Sequence, residues 1–149
     1  MDPGMHSAEH ILNQTMDRLF KCGRCFSAHI EKKKSKCDYR FHRPLTESEV
    51  RKIESQVNEI IRRRLPITED WIPRTKAREK YNLERLPSDV DEKIRIVKIG
   101  NYDACPCIGP HVGATDEIGC FRITTISFDS GVLRIRFKLN RNNSKEILT

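Results

Sequence analysis

Two histidine-containing motifs near opposite ends of the chain, HSAEH at residues 6–10 and CIGPH at residues 107–111, restrict its fold most. Together they supply the ligand set of a zinc site, but only if the intervening chain brings an early segment against a late one. On a helix, His6 and His10 lie one turn apart on the same side, so both imidazoles can reach one ion. Cys107 and His111 have the same spacing, yet Gly109 and Pro110 between them favour a bent loop in which thiolate and imidazole converge. A borderline-soft ion such as zinc favours this mixture of nitrogen and sulfur donors. Three protein ligands plus a water would make the site catalytic and four would make it structural; the spacing allows both. Glu9, beside His10 and about a turn from His6, either orients a ligand or a water or turns outward, depending on how the helix is rotated.

A chain of 149 residues suits one domain with one core, read here as residues 1–149. With 37% hydrophobic and 33% charged residues it lies inside the globular range. No apolar run approaches bilayer-spanning length, and MDPGMHSAEH lacks the basic-then-apolar pattern of a signal peptide, so the expectation is a soluble cytoplasmic protein with no membrane partner. Reduced cysteines follow from that location, making Cys22, Cys25, Cys37, Cys105, Cys107 and Cys120 metal ligands, core thiols or bystanders rather than disulfides. A net charge of +7 favours polyanionic partners. The runs Lys32 to Lys34 and Arg62 to Arg64 and the series Arg74, Lys76, Arg78, Lys80 could each contact phosphates or simply be solvated faces.

Apolar spacing at Ile11, Leu12, Met16, Leu19 and Phe20 predicts a helix from His6 to about Phe20, with HSAEH in its first turn. Phe26 to Ile30 and Cys37 to Phe41 read as two strands of a hairpin with a basic tip. Thr46 with Glu49 forms a capping box opening a helix whose apolar face is Val50, Ile53, Val57, Ile60 and Ile61, closing before Pro66. Ile67 to Ile72 reads as a short strand and Thr75 to Tyr81 as a short basic helix before a loop at Pro87. Ile94 to Ile99, Phe121 to Phe128 and Val132 to Leu139 read as strands of one sheet, with Cys107 to Gly119 looping between strands. Helices early and antiparallel strands late predict an α+β fold, an antiparallel sheet covered on one face by helices.

The strings HSAEHIL, PLTESEVRKIESQVNEII, RIVKIGNYDACPCIGPHVGATDEIGCFRI and GVLRIRF, in that order, resemble the second additional domain of threonyl- and alanyl-tRNA synthetases and the free-standing AlaX-type editing proteins. The likeness runs from His6 to about Phe137. Gly109, Pro110 and His111 resemble the threonyl form, whereas Thr115, Glu117, Ile118 and Gly119 resemble the alanyl form. The resemblance implies that His6, His10, Cys107 and His111 line a pocket that hydrolyses the ester of a mischarged tRNA. It implies a deacylase acting in trans on seryl- or glycyl-tRNA of alanine or threonine specificity, with the acceptor end of tRNA as partner, zinc as cofactor and no DNA. Threonyl-type members work with His and Cys side chains around a water, so a site without metal also fits. An ester hydrolase of this kind needs a positioned water, a base and stabilisation of the oxyanion, and zinc could lower the water pKa toward ~7 while polarising the carbonyl.

Other readings compete. HSAEH matches the inverted zinc-protease signature HxxEH, which leaves the CxxxH motif unexplained. Cys22 and Cys25 form a CxxC that is either half of a second metal site, completed by Cys37 or Cys105, or incidental. Cys105 rivals Cys107 as the late thiol ligand, while His29 and His42 fall in or beside strands and are left out of the site. Ile108 and Asp116 depart from the family pattern, which motivates the alternative of a non-catalytic zinc- and tRNA-binding module.

Overall fold

In the computed structural model, residues 1–84, 86 and 92–141 are described. The first helix, α1 (Pro3–Phe20), begins a turn earlier than its apolar periodicity suggests. Asp2 caps it by accepting from the Met5 N–H at 2.9 Å, and Pro3 occupies the first turn, where its missing N–H is harmless. HSAEH therefore sits beyond the first turn, with its backbone fully hydrogen-bonded. The hairpin is β1 (Ser27–Ile30) and β2 (Ser35–Arg40), and its basic tip, Lys32 to Lys34, is exposed. The second helix, α2 (Glu47–Arg62), opens with the capping box: Thr46 and Glu49 each bond the other's backbone N–H. It buries Ile53, Val57, Ile60 and Ile61, while Val50 is only half-buried.

Next come β3 (Ile67–Pro73), the short helix α3 (Arg74–Lys80), β4 (Lys93–Ile99) and β5 (Asp103–Pro106); the predicted loop at Pro87 lies outside the described residues. A 3-10 turn at Thr115–Glu117 precedes β6 (Cys120–Asp129) and β7 (Val132–Asn140). The fold is α+β and antiparallel, but the later strands do not form one sheet. β6 and β7 join the hairpin in the order β1-β2-β7-β6, whereas β4 pairs with β3 and β5 in a second, three-stranded sheet. Alternation of apolar residues marks Ile94 to Ile99 as a strand without naming its partner. β5 carries no pattern of its own; Asp103, Ala104, Cys105 and Pro106 are drawn into a strand by pairing with β4.

The main core lies between the inner face of the four-stranded sheet and the two long helices. Met5, Ile11, Leu12 and Met16 of α1 and Ile53, Val57 and Ile60 of α2 pack on Tyr39, Leu133, Ile135, Phe137 and Phe121. A smaller cluster of Ala77, Ile94 and Ile96 holds α3 on the second sheet. Thr115 ties α2 to the loop that follows His111. Its fully buried hydroxyl lies 2.9 Å from the Ile60 carbonyl and 3.0 Å from that of Ile61, and accepts from the Leu65 N–H at 3.0 Å. Thr115→Val keeps the shape but removes the acceptor of the Leu65 N–H, whereas the Ile60 and Ile61 carbonyls keep the N–H groups of Arg63 and Arg64, so urea denaturation should show a loss of about 2 kcal/mol.

Candidate metal centre

His6 and His10 project from the same side of α1 toward the loop after β5, where Cys107 and His111 sit. The His6 Nε2 and His10 Nε2 atoms are 3.2 Å apart, and Cys107 Sγ is 3.3 Å from His111 Nε2. All four donor atoms lie within 4.8 Å of one another. The imidazoles of His6 and His111 stack with centroids 3.9 Å apart, and that of His10 meets both edge-on. Two motifs a hundred residues apart in sequence thus converge on one point, and the donor set of three nitrogens and one sulfur could hold a metal ion.

Local chemistry aims each ring. His6 Nδ1 donates to the Pro110 carbonyl at 2.9 Å, so its Nε2 lone pair faces the cluster. Ser7 Oγ is 2.9 Å from His111 Nδ1 and accepts from the Val112 N–H at 3.3 Å, so a residue inside HSAEH steers the late histidine. His10 Nδ1 is buried without a hydrogen-bond partner, 3.6 Å from Asp103 Oδ2. Asp103 is in turn held by Arg24 at 2.7 and 3.3 Å and by Gln14 at 2.9 Å. The loop can approach this closely because Gly109 has φ +107° and no side chain; a Cβ there would sit 3.3 Å from the His6 ring. Arg95 steadies the same loop by donating to the Gly109 carbonyl at 2.7 Å.

Burial and the neighbouring His10 push the His6 pKa down to about 4, and burial with His10 and His6 pushes His111 down to about 2. Burial pushes the Cys107 thiol up to about 12. Burial alone would raise the Asp103 carboxyl, but the approach of His10 and the Arg24 charge hold it well below the usual carboxylate range. The histidine shifts carry a sign. Both rings hold their proton less tightly folded than unfolded, so their contribution is complete above the ordinary value of 6.5 and is lost as pH falls, through about 4 for His6 and further for His111. The urea midpoint of the metal-free protein should therefore be lower at pH 5 than at pH 7.5; Asp103 contributes only below its ordinary carboxylate range. An equal or higher midpoint at pH 5 would contradict neutral, buried imidazoles.

Glu9 does not turn outward: it is 5% exposed, and Cys25 Sγ donates to its Oε2 at 3.6 Å. With Cys25 and Cys37 it forms a second group of donor atoms within 4.8 Å of one another. The CxxC is not such a group, because Cys22 Sγ bonds the carbonyls of Gly23 and Met16 instead. Cys105 Sγ is directed to the Pro106 carbonyl and stands outside the cluster that contains Cys107. His29 pairs with exposed Glu31, and His42 stacks on Phe41; neither is in that cluster. Ser7, Arg24, Asp103 and the Pro110 carbonyl are the site residues that motif spacing did not reveal. Ser7 and Pro110 carried a signal, lying within HSAEH and CIGPH themselves.

His6, Glu9, His10 and Cys107 line a cavity of about 590 Å³, together with Phe26 and with Ala28 and Ile30 of β1. That volume fits a small molecule or the end of a polymer. No helix among the described residues is long and apolar enough to cross a membrane.

Comparison with known proteins agrees with the motifs. Residues 94–145 match the family described as the threonyl and alanyl tRNA synthetase second additional domain. The chain is 34% identical over 138 residues to an alanine–tRNA ligase of Aeropyrum pernix, 32% over 137 residues to that of Ignicoccus hospitalis and 30% over 138 residues to that of Idiomarina loihiensis. These alignments cover 89%, 89% and 87% of the chain, which spans only 15% of the length of each relative. His6, His10, Cys107 and His111 therefore cluster in a chain that is similar to the second additional domain of threonyl and alanyl tRNA synthetases and, over most of its length, to a part of alanine–tRNA ligases.

Proposed function

We propose that residues 1–149 act as one editing unit that hydrolyses the ester linking a wrong amino acid to tRNA, in trans and in the cytoplasm. The observation that supports this most is the convergence of His6, His10, Cys107 and His111, the first three of which line a cavity of about 590 Å³. The same chemistry argues for zinc. A tetrahedral zinc ion with imidazole ligands at ordinary distances has N···N edges of about 3.3 Å, and the His6 and His10 Nε2 atoms are 3.2 Å apart. The orphaned His10 Nδ1 also fits, because a proton displaced from Nε2 by an ion would sit on Nδ1, facing Asp103. Bound there, zinc would lower the pKa of a water toward ~7 and polarise the ester carbonyl.

The chain's own residues do the rest. Pro110 and Ser7 hold the His6 and His111 rings in orientation, so the donors need no rearrangement. Glu9, on the cavity wall, orients the attacking water. Phe26 and Ile30 supply an apolar part of the cavity lining against which the substrate can rest. The inverted zinc-protease reading has no use for Cys107 and His111, which complete the cluster here.

The test is deacylation of seryl- and glycyl-tRNA of alanine and threonine specificity by zinc-loaded protein, with release of the amino acid as readout. Turnover on at least one substrate is expected. Tight tRNA binding without turnover would reject the enzyme and leave the alternative, a non-catalytic zinc- and tRNA-binding module whose four ligands close the ion off from water.

A further inference from the structure

The side of the four-stranded sheet turned away from α1 and α2 has a charge pattern that folding alone does not call for. Register and burial divide the strands cleanly. Cys37, Tyr39, Leu133, Ile135, Phe137 and Phe121 face the core, and their sequence neighbours Lys36, Arg40, Arg134, Arg136, Lys138 and Arg122 face outward, half-exposed or exposed. Pairing places Lys36 directly opposite Arg136 and Arg122 directly opposite Lys138. Like charges facing each other across a strand pair destabilise a sheet, and any polar residue would satisfy the alternation. Asp38 neutralises Arg134 through two bonds of 2.8 and 2.9 Å; among the described residues it is the only carboxylate bonded to a cation of this face. Arg62, Arg63 and Arg64, by contrast, each have a carboxylate within 3.4 Å, from Glu59 or Asp116.

We infer that this outer face, through Lys36, Arg122, Arg136 and Lys138, is a docking surface for the sugar-phosphate backbone of RNA, separate from the metal centre and its cavity. The inference rests on the tRNA reading above for the choice of RNA and adds the surface that would hold it. Cations two residues apart on one strand stand about 7 Å apart, a spacing comparable to that of successive phosphates, so a strand of RNA can lie along β7 and meet Arg136 and Lys138 in turn. On the neighbouring strand Thr125 stands opposite Arg136 and Ser127 opposite Arg134, and both hydroxyls are open to the same backbone. The face and the cavity are on opposite sides of one sheet and meet at β1. Its inward Ala28 and Ile30 line the cavity, and its outward His29 borders the basic face. A single strand leaving a duplex held on the face reaches the cavity by crossing that edge.

The probe is deacylated tRNA, titrated by fluorescence anisotropy against the 149-residue chain at several salt concentrations. In the variant Lys36→Gln, Arg122→Gln, Arg136→Gln, Lys138→Gln, affinity near 0.1 M salt should fall by at least about thirtyfold, and the slope of log affinity against log salt should shrink by about 3. The pair Arg122→Gln, Lys138→Gln should give about half that slope change. The melting temperature should not drop, because the substitutions relieve like-charge opposition on a solvated face. Arg62→Gln with Arg63→Gln, which removes as much positive charge as that pair, should change affinity by less than about threefold. An unchanged slope in the four-residue variant would overturn the proposal, as would equally tight binding of polyglutamate or anionic vesicles by the wild type. Zinc content and hydrolysis of a small aminoacyl ester report on the cavity alone. Their failure in the wild type would sink the editing reading and leave the surface standing, whereas their survival beside an unchanged RNA affinity in the variant would do the reverse.

Discussion

Cys107→Ala should leave a folded protein that no longer retains zinc through dialysis and whose deacylation rate falls by about a hundredfold or more. The Cys107 sulfur is the sole sulfur donor in the cluster among the described residues, 3.3 Å from His111 Nε2, whereas Cys105 is directed to the Pro106 carbonyl. Cys105→Ala is therefore the matched control, with zinc content and rate expected to stay at wild type. Because burial holds the Cys107 thiol up to about 12, zinc binding near neutral pH must displace its proton. Apparent affinity should accordingly rise about tenfold for each pH unit between 6 and 8, and lose that dependence in Cys107→Ala. Metal analysis with circular dichroism separates loss of a ligand from loss of the fold; undiminished zinc in Cys107→Ala would reassign the ligand set.

Asp103→Ala should be the most destabilising substitution around the site, costing about 3 kcal/mol in urea. The carboxylate is fully buried and anchors Arg24, Gln14 and, at 3.6 Å, His10. Removing it leaves the Arg24 guanidinium with its main counter-charge gone, and that accounts for most of the loss. Arg24→Ala in the same chain should then recover part of it, so the double variant should be more stable than the sum of the two single losses predicts. Asp103 acts on the metal centre as a positioning residue. With it gone, zinc affinity should weaken by about ten- to a hundredfold through the His10 ring alone. Unaltered zinc affinity in Asp103→Asn, which keeps the shape and removes the charge, would show that the carboxylate serves only the fold.

How much could be read before the tertiary structure varies with the range of the interaction. The capping box at Thr46 and Glu49 is local, and α2 starts where it says. The hairpin tip at Lys32 to Lys34 is local too, and β1 and β2 flank it. For α1, the overlooked pair Asp2 and Pro3 was an ordinary start signal hidden ahead of the apolar stripe. The basic outer face escaped notice because its cations alternate with core residues and are shared among β2, β6 and β7. A contiguous run such as Arg62 to Arg64 catches the eye, yet it is paired with Glu59 and Asp116.

From the sequence by itself came the family resemblance, the four motif residues and the α+β class, because ligand spacing, strand alternation and helix caps are written within a few residues of one another. Partner choice came only from the folded chain. The split into two sheets, the drawing of Asp103 to Pro106 into β5 and the inward turn of Glu9 depend on packing between segments far apart in sequence. The physical reason is that a residue pattern states which face of an element is apolar, while the cheapest burial of all such faces together decides which elements meet.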